Sequence, residues 1–235
     1  MNKPTPAKKK AADGGTALKR VAIVDDHTMM REGLRQFIEA EPDMEVAWTA
    51  ADVAQAMAKL ERDKPDLMTI DITLPGRNGL ELIKDVLAIA PDMSLLVISM
   101  HDESLYAQRV LKAGAKGYIM KDAPHEQLMS AIRRVGNGSI WVSPAMSEEI
   151  LEAFSGGTPR KPVDGVHKLS DREFEVFQLL GEGKSTHQIA DALHISTKTV
   201  DVHKSHIREK LDLEDSAAVL RYAIRWIETR RLGRA

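Results

Sequence analysis

The sequence predicts an α/β fold, a doubly wound five-stranded parallel sheet, followed by a separate all-α four-helix domain. Three observations carry that prediction. Short apolar runs alternate with amphipathic stretches of helical period from Val21 to about residue 138; a Gly-, Pro- and polar-rich interval, SGGTPRKPVDG at 155–165, then interrupts the chain; beyond it the periodicity is helical throughout. A chain of 235 residues is long enough for two units that each bury a core.

The five strands are VAIV at 21–24, EVAWTA at 45–50, LMTI at 67–70, LLVIS at 95–99 and GYIM at 117–120. Their near-continuous apolar character marks strands buried on both faces, as in a parallel sheet. Helices fall between and after them, on Met30, Leu34, Phe37 and Ile38, on Leu80, Ile83 and Leu87, on Leu105, Val110 and Leu111, and on Leu128, Ile132 and Val135. In the second unit, Ser170 with Glu173 and Ser185 with Gln188 have the spacing of capping boxes. Ser196 suits the N-cap of a third helix with Val200, Ile207 and Leu211 on one face, and a fourth, about 216–228, carries Ala217, Leu220, Ile224 and Ile227. The expected organisation is a disordered basic tail at 1–19, a first domain at 20–138, a linker at 139–167 and a second domain at 168–235.

Composition removes several function classes. With no cysteine, disulfides, thiolate catalysis and cysteine zinc sites are excluded. The apolar runs are too short to span a bilayer, and the basic N-terminus has no apolar stretch behind it, so neither a membrane span nor a secretory signal is expected and the cytoplasm is the expected location. The net charge of −2 is unevenly spread: residues 21–140 hold 13 basic against 19 acidic groups, whereas 169–235 hold 11 of each. The first domain is therefore the acidic one. The eight histidines lack the HExxH or cysteine partners of a metal motif, and His203 falls with Val200 and Ile207 on the core side of its helix.

In a doubly wound sheet, ligands bind beyond the carboxyl ends of the strands. There the sequence places Asp25 and Asp26 after the first strand, Asp71 after the third, Ser99 at the end of the fourth and Lys121 after the fifth. Any one of these is an ordinary helix cap or an exposed lysine. Together, three carboxylates crowd one edge and raise one another's pKa unless a cation sits among them, and Mg²⁺ with its preference for oxygen ligands fits that need.

The runs VAIVDDH, LMTIDITLPGRNGLEL, VISMHDE and GAKGYIMKDAP, in this order and spacing over about 21–140, resemble the receiver domain of two-component signalling, a CheY-like, flavodoxin-like fold. The resemblance implies that Asp71 accepts a phosphoryl group from a sensor histidine kinase. It further implies that Asp25, Asp26, Asp71 and the backbone carbonyl of Thr73 hold Mg²⁺, that Ser99 bonds the phosphoryl group, that Lys121 pairs with its charge, and that Tyr118 is an aromatic switch that swings inward on activation. The segment LSDREFEVFQLLGEGKSTHQIADALHISTKTVDVHKSHIREKL resembles the LuxR-type helix-turn-helix, and both halves together resemble the NarL/FixJ family over about 21–228.

That resemblance implies binding of double-stranded DNA by the helix after Ser196. Lys198, Asp201, Val202 and Ser205 are expected outward toward bases, and Thr199 is placed with the DNA-binding group. Lys198, Lys204, Arg208 and Lys210 are expected toward phosphates. Homodimerisation through the last helix is expected to offset the weak domain charge. Two other functions remain open on the residues alone: a receiver-controlled adapter that binds protein, and a Mg²⁺-dependent aspartyl-phosphate hydrolase. The hydrolase needs a second acid two residues after the nucleophile, where this chain has Thr73, so a phospho-acceptor without turnover is expected.

Overall fold

The computed structural model describes residues 18–154 and 165–232; the tail expected at 1–19 falls almost entirely outside them, as does most of the Gly- and Pro-rich interval. The N-terminal domain is built from β1 (Lys19–Val24), α1 (Thr28–Glu39), β2 (Met44–Ala50), α2 (Val53–Leu60), β3 (Leu67–Ile70), α3 (Gly79–Ile89), β4 (Ser94–Ser99), α4 (Glu103–Lys112), β5 (Gly117–Met120) and α5 (His125–Gly136). All strand pairs are parallel and the sheet order is β2-β1-β3-β4-β5. The chain leaves β1 toward one edge, returns and builds toward the other, so the order reverses between β1 and β3. A crevice opens at such a reversal. Asp25 and Asp71 are the residues that follow these two strands.

Alternation along the strands divides the core. Val21, Ile23, Leu67, Leu96, Ile98 and Ile119 pack with Leu34, Ile38, Leu128 and Ile132 of α1 and α5. Ala22, Val24, Met68, Ile70, Leu95 and Val97 face α2, α3 and α4 on the other side. Side chains start several helices where the sequence calls for a cap: Asp52 for α2, Asn78 for α3 and Asp102 for α4 each accept a backbone N–H.

The interval at 139–167 is not featureless. Trp141 pairs in parallel with Gly117 on the free edge of β5, with Tyr118 N–H donating to the Trp141 carbonyl (2.9 Å) and Trp141 N–H to Lys116 (2.9 Å). A helix, α6 (Pro144–Phe154), follows. Pairing covers an edge that would otherwise present open backbone groups.

The C-terminal domain has a 3-10 turn (Gly165–Lys168), α7 (Asp171–Gly181), α8 (Thr186–Ala192), α9 (Thr197–Lys210) and α10 (Ser216–Leu232). Complete capping boxes begin α7 at Ser170 and α8 at Ser185. α10 packs along α7, with Trp226 edge-on to both Phe174 and Phe177. The two domains touch. Tyr106 donates to Gln178 Oε1 (2.8 Å), Asn78 Nδ2 to Glu175 Oε1 (3.1 Å), and Arg109 caps the 3-10 turn through the Val166 and Leu169 carbonyls while lying 4.2 Å over the Phe174 ring.

Candidate functional site

The acidic groups meet at the strand ends. Asp25 and Asp71 are 2% and 4% exposed, and one ammonium lies between them: Lys121 Nζ is 2.7 Å from Asp25 Oδ2 and 2.8 Å from Asp71 Oδ2. Two buried carboxylates thus share the Lys121 ammonium. Burial pushes the Asp71 carboxyl up to about 6; Lys121 opposes that shift and Asp25 adds to it. Asp25, Asp26 and His27 bring possible ligand atoms within 4.8 Å of one another, with Asp25 buried and the other two exposed. Oxygen donors on a partly open rim fit a hard divalent cation that keeps water in its shell.

Local structure explains why Asp71 sits where it does. Its N–H bonds the Val24 carbonyl, and its Oδ1 accepts from the Thr73 N–H at 3.3 Å. The β3–α3 loop folds back so that Gly79 N–H bonds the Ile72 carbonyl at 2.8 Å, and a Cβ at Gly79 would run into the Asp71 carbonyl oxygen. Only glycine permits that approach. The first turn of α3 therefore rests directly on the backbone of Asp71.

Ser99 is fully buried, and its Oγ accepts the His101 N–H at 3.2 Å. Tyr118 is also fully buried, with its hydroxyl donating to the His101 carbonyl at 2.6 Å. Its ring is thus held inward. His101, which the sequence did not single out, connects these groups: its Nε2 lies 3.0 Å from Thr73 Oγ1 and its ring is 4.8 Å from that of Tyr106. Burial, with Lys121 nearby, pushes its imidazole below the ordinary value. Its run VISMHDE implies no role for it, and its partners come from the β3–α3 loop, β4, α4 and β5.

In the second domain, α8 and α9 are joined by a turn in which His194 takes the left-handed backbone conformation, φ 52°, the geometry that closes a helix C-terminus. Ser196 caps α9 by accepting from Thr199 N–H at 3.0 Å, and its Oγ lies 2.7 Å from Thr199 Oγ1, so Thr199 belongs to the cap. Val200 and Ile207 are buried, whereas Lys198, Asp201 and Val202 are exposed, the last at 45%. Ser205 and Arg208 are half-buried. Lys204 is held by Thr186 Oγ1 of α8 (3.2 Å) and Asp201 Oδ1 (3.5 Å). Lys210, expected at phosphates, bonds the buried Glu173 at 2.7 Å. His203 is half-buried, and its Nδ1 has no hydrogen-bond partner among the described residues.

Comparison with known proteins agrees with both halves. The family model described as the response regulator receiver domain matches residues 21–133, and that for bacterial regulatory proteins of the luxR family matches residues 167–223. The oxygen regulatory protein NreC of Staphylococcus carnosus is 36% identical over 210 residues, covering 88% of this chain and 97% of the relative. RcsB of Salmonella enterica serovar Typhimurium, solved bound to a promoter with the phosphomimetic BeF3⁻, aligns at 26% identity and a TM-score of 0.59 over 88% of this chain and 98% of that one. A LuxR-family two-component response regulator from Aurantimonas sp. SI85-9A1 is 33% identical with a TM-score of 0.55, over 59% of this chain and 99% of its own.

Proposed function

We propose that this chain, which belongs to the two-component response regulators with a receiver domain and a luxR-family DNA-binding domain, accepts a phosphoryl group on Asp71 from a sensor histidine kinase and couples it to sequence-specific DNA binding and transcription. The observation that carries the reading is the pair of buried carboxylates, Asp25 and Asp71, both bonded to the Lys121 ammonium. Asp25, Asp26, Asp71 and the Thr73 carbonyl are the donors that would hold Mg²⁺. When bound, that ion would neutralise charge on the phosphoryl oxygens.

The chain's own residues divide the remaining work. Asp71 Oδ attacks phosphorus as the P–N bond to the kinase's histidine breaks and the departing imidazole takes up a proton; the ionised carboxylate is the nucleophile, so a carboxyl held near 6 is available at neutral pH. Lys121 leaves its carboxylate partners to pair with a phosphoryl oxygen, and the Ser99 hydroxyl donates to another. Thr73 brings no second acid, so the acyl phosphate accumulates rather than turning over, which makes the chain an acceptor and not an enzyme.

At the other end, α9 enters the major groove with Lys198, Asp201 and Val202 toward base edges, while Lys204 and Arg208 contact phosphates. Solved structures of RcsB include two dimers bound to two parallel DNAs. The present chain binds its operator as a homodimer, with the outer face of α10, where Leu220 is 39% exposed, as the contact between copies. Its place is with the chromosome, in the cytoplasm; among the described residues no helix is long and apolar enough to cross a membrane.

Incubation with acetyl phosphate and Mg²⁺ tests the acceptor role. One acid-labile phosphate per chain in the wild type and none in Asp71→Asn supports it; sustained phosphate release makes the protein a hydrolase, and labelling of Asp71→Asn removes Asp71 from its role.

A further inference from the structure

Three polar side chains, Asn78, Glu175 and Arg172, make a continuous path from the phosphoryl-acceptor loop to a backbone carbonyl at the turn of the helix-turn-helix. Asn78 caps α3 by accepting the Glu81 N–H at 2.9 Å, and its other amide group, Nδ2, donates across the domain boundary to Glu175 Oε1 at 3.1 Å. The second oxygen of Glu175 accepts from Arg172 Nη1 at 2.8 Å, and Arg172 Nη2 donates to the carbonyl of Leu193 at 2.7 Å. Leu193 is the C-cap of α8, immediately before His194 at φ 52°. That turn sets the angle between α8 and α9.

The receiver end of the path is equally well anchored. Asn78 immediately precedes Gly79, whose Cα lies against the Asp71 carbonyl and whose N–H bonds Ile72. A shift of the loop around Asp71 therefore moves the Asn78 amide. Asn78 and Glu175 are 2% and 6% exposed, so water does not compete for the bond between them. An Arg–carboxylate pair with a planar donor fork transmits direction as well as charge. Meanwhile the outward face of α9 stays open: Lys198, Asp201 and Val202 are all exposed. The contact between domains does not cover the DNA-reading surface.

We infer that Arg172 and Glu175 are positioning residues for the recognition helix, and that Asn78 sets them according to the state of the Asp71 loop. In this arrangement the receiver adjusts the pitch of the reading helix through the α8–α9 turn rather than by masking it. The inference rests on the DNA-binding reading of α9, and its test is separate from that reading.

Hydrogen–deuterium exchange of the full-length chain reads the turn directly, through the N–H groups of Leu193, His194 and Ile195, which bond Ile189, Asp191 and Ala190. Asn78→Asp keeps the cap on α3 but sets a carboxylate against Glu175, and Asn78→Ser keeps the cap while falling short of it. Both variants are expected to speed exchange at 193–195 by about fivefold or more, the lower end of coupling between linked sites. The paired variant Asn78→Asp with Glu175→Gln restores a donor facing a carboxylate and leaves an oxygen for Arg172, so it returns exchange to the wild-type rate. Retained protection in β3 shows that the receiver is folded in every sample. Unchanged exchange at the turn in both single variants, or failure of the paired variant to restore it, overturns the inference. Phosphate uptake by the same samples reports on Asp71 independently.

Discussion

Asp71 owes its environment to neighbours that are strict about size and charge. Gly79 lies so close to the Asp71 carbonyl that even an alanine methyl must displace backbone. Gly79→Ala is therefore expected to destabilise the receiver by about 1–3 kcal/mol, measured by urea unfolding, and to slow phosphate uptake because the β3–α3 loop moves with it. A second residue-scale test concerns Glu173. Burial pushes its carboxyl up, but the bonds from Lys210 and Ser170 outweigh that and hold it below its ordinary 4.5. A carboxylate with a lowered folded-state pKa adds stability that is present above pH 4.5 and is lost as pH falls through the folded value. Lys210→Met should lower stability at pH 7 and reduce that acid-side loss in a series of melts at different pH, the Ser170 bonds remaining. Asp25, Asp26, Asp71, Ser99 and Lys121 were all legible as strand-end residues, because the sheet's periodicity dictates which positions reach the rim. His101 and the Glu173–Lys210 bond were not, since each depends on which helix lies opposite.

At the scale of elements, local chemistry predicted most of the fold. Both capping boxes form as their spacing indicated, at Ser170 with Glu173 and at Ser185 with Gln188. Ser185→Ala removes the acceptor at the start of α8 and is expected to cost about 1 kcal/mol of stability, read from thermal unfolding. The Asn78 cap was legible in principle too, for RNGLEL sets an Asn three residues before a Glu at a helix start. Helix α6 escaped notice because its apolar positions sit in an interval judged by the Gly and Pro that follow it. The Trp141–Gly117 pairing could not be foreseen. It joins a short connector to a sheet edge, and a single bridge leaves no periodic trace.

Across the whole molecule, one apolar cluster runs from the α2–α4 side of the sheet into α7 and α10. Polar bonds at the domain boundary, among them Tyr106 to Gln178, give that junction a defined geometry while adding little net stability. The domains are expected to unfold in one transition in denaturant, and Tyr106→Phe, which strands the buried Gln178 oxygen, to lower stability by about 1–3 kcal/mol. Domain number and class could be read from the sequence. Their mutual arrangement could not, because it is decided by side chains such as Asn78, Tyr106 and Arg109 whose partners lie far along the chain. Control of DNA binding by the state of Asp71 is read in one titration: the affinity of the full-length protein for a duplex recovered by binding selection, with and without beryllofluoride and Mg²⁺. Tightening of about fivefold or more is expected in the wild type and none in Asp71→Asn. Equal affinities for the wild type in both conditions would contradict it.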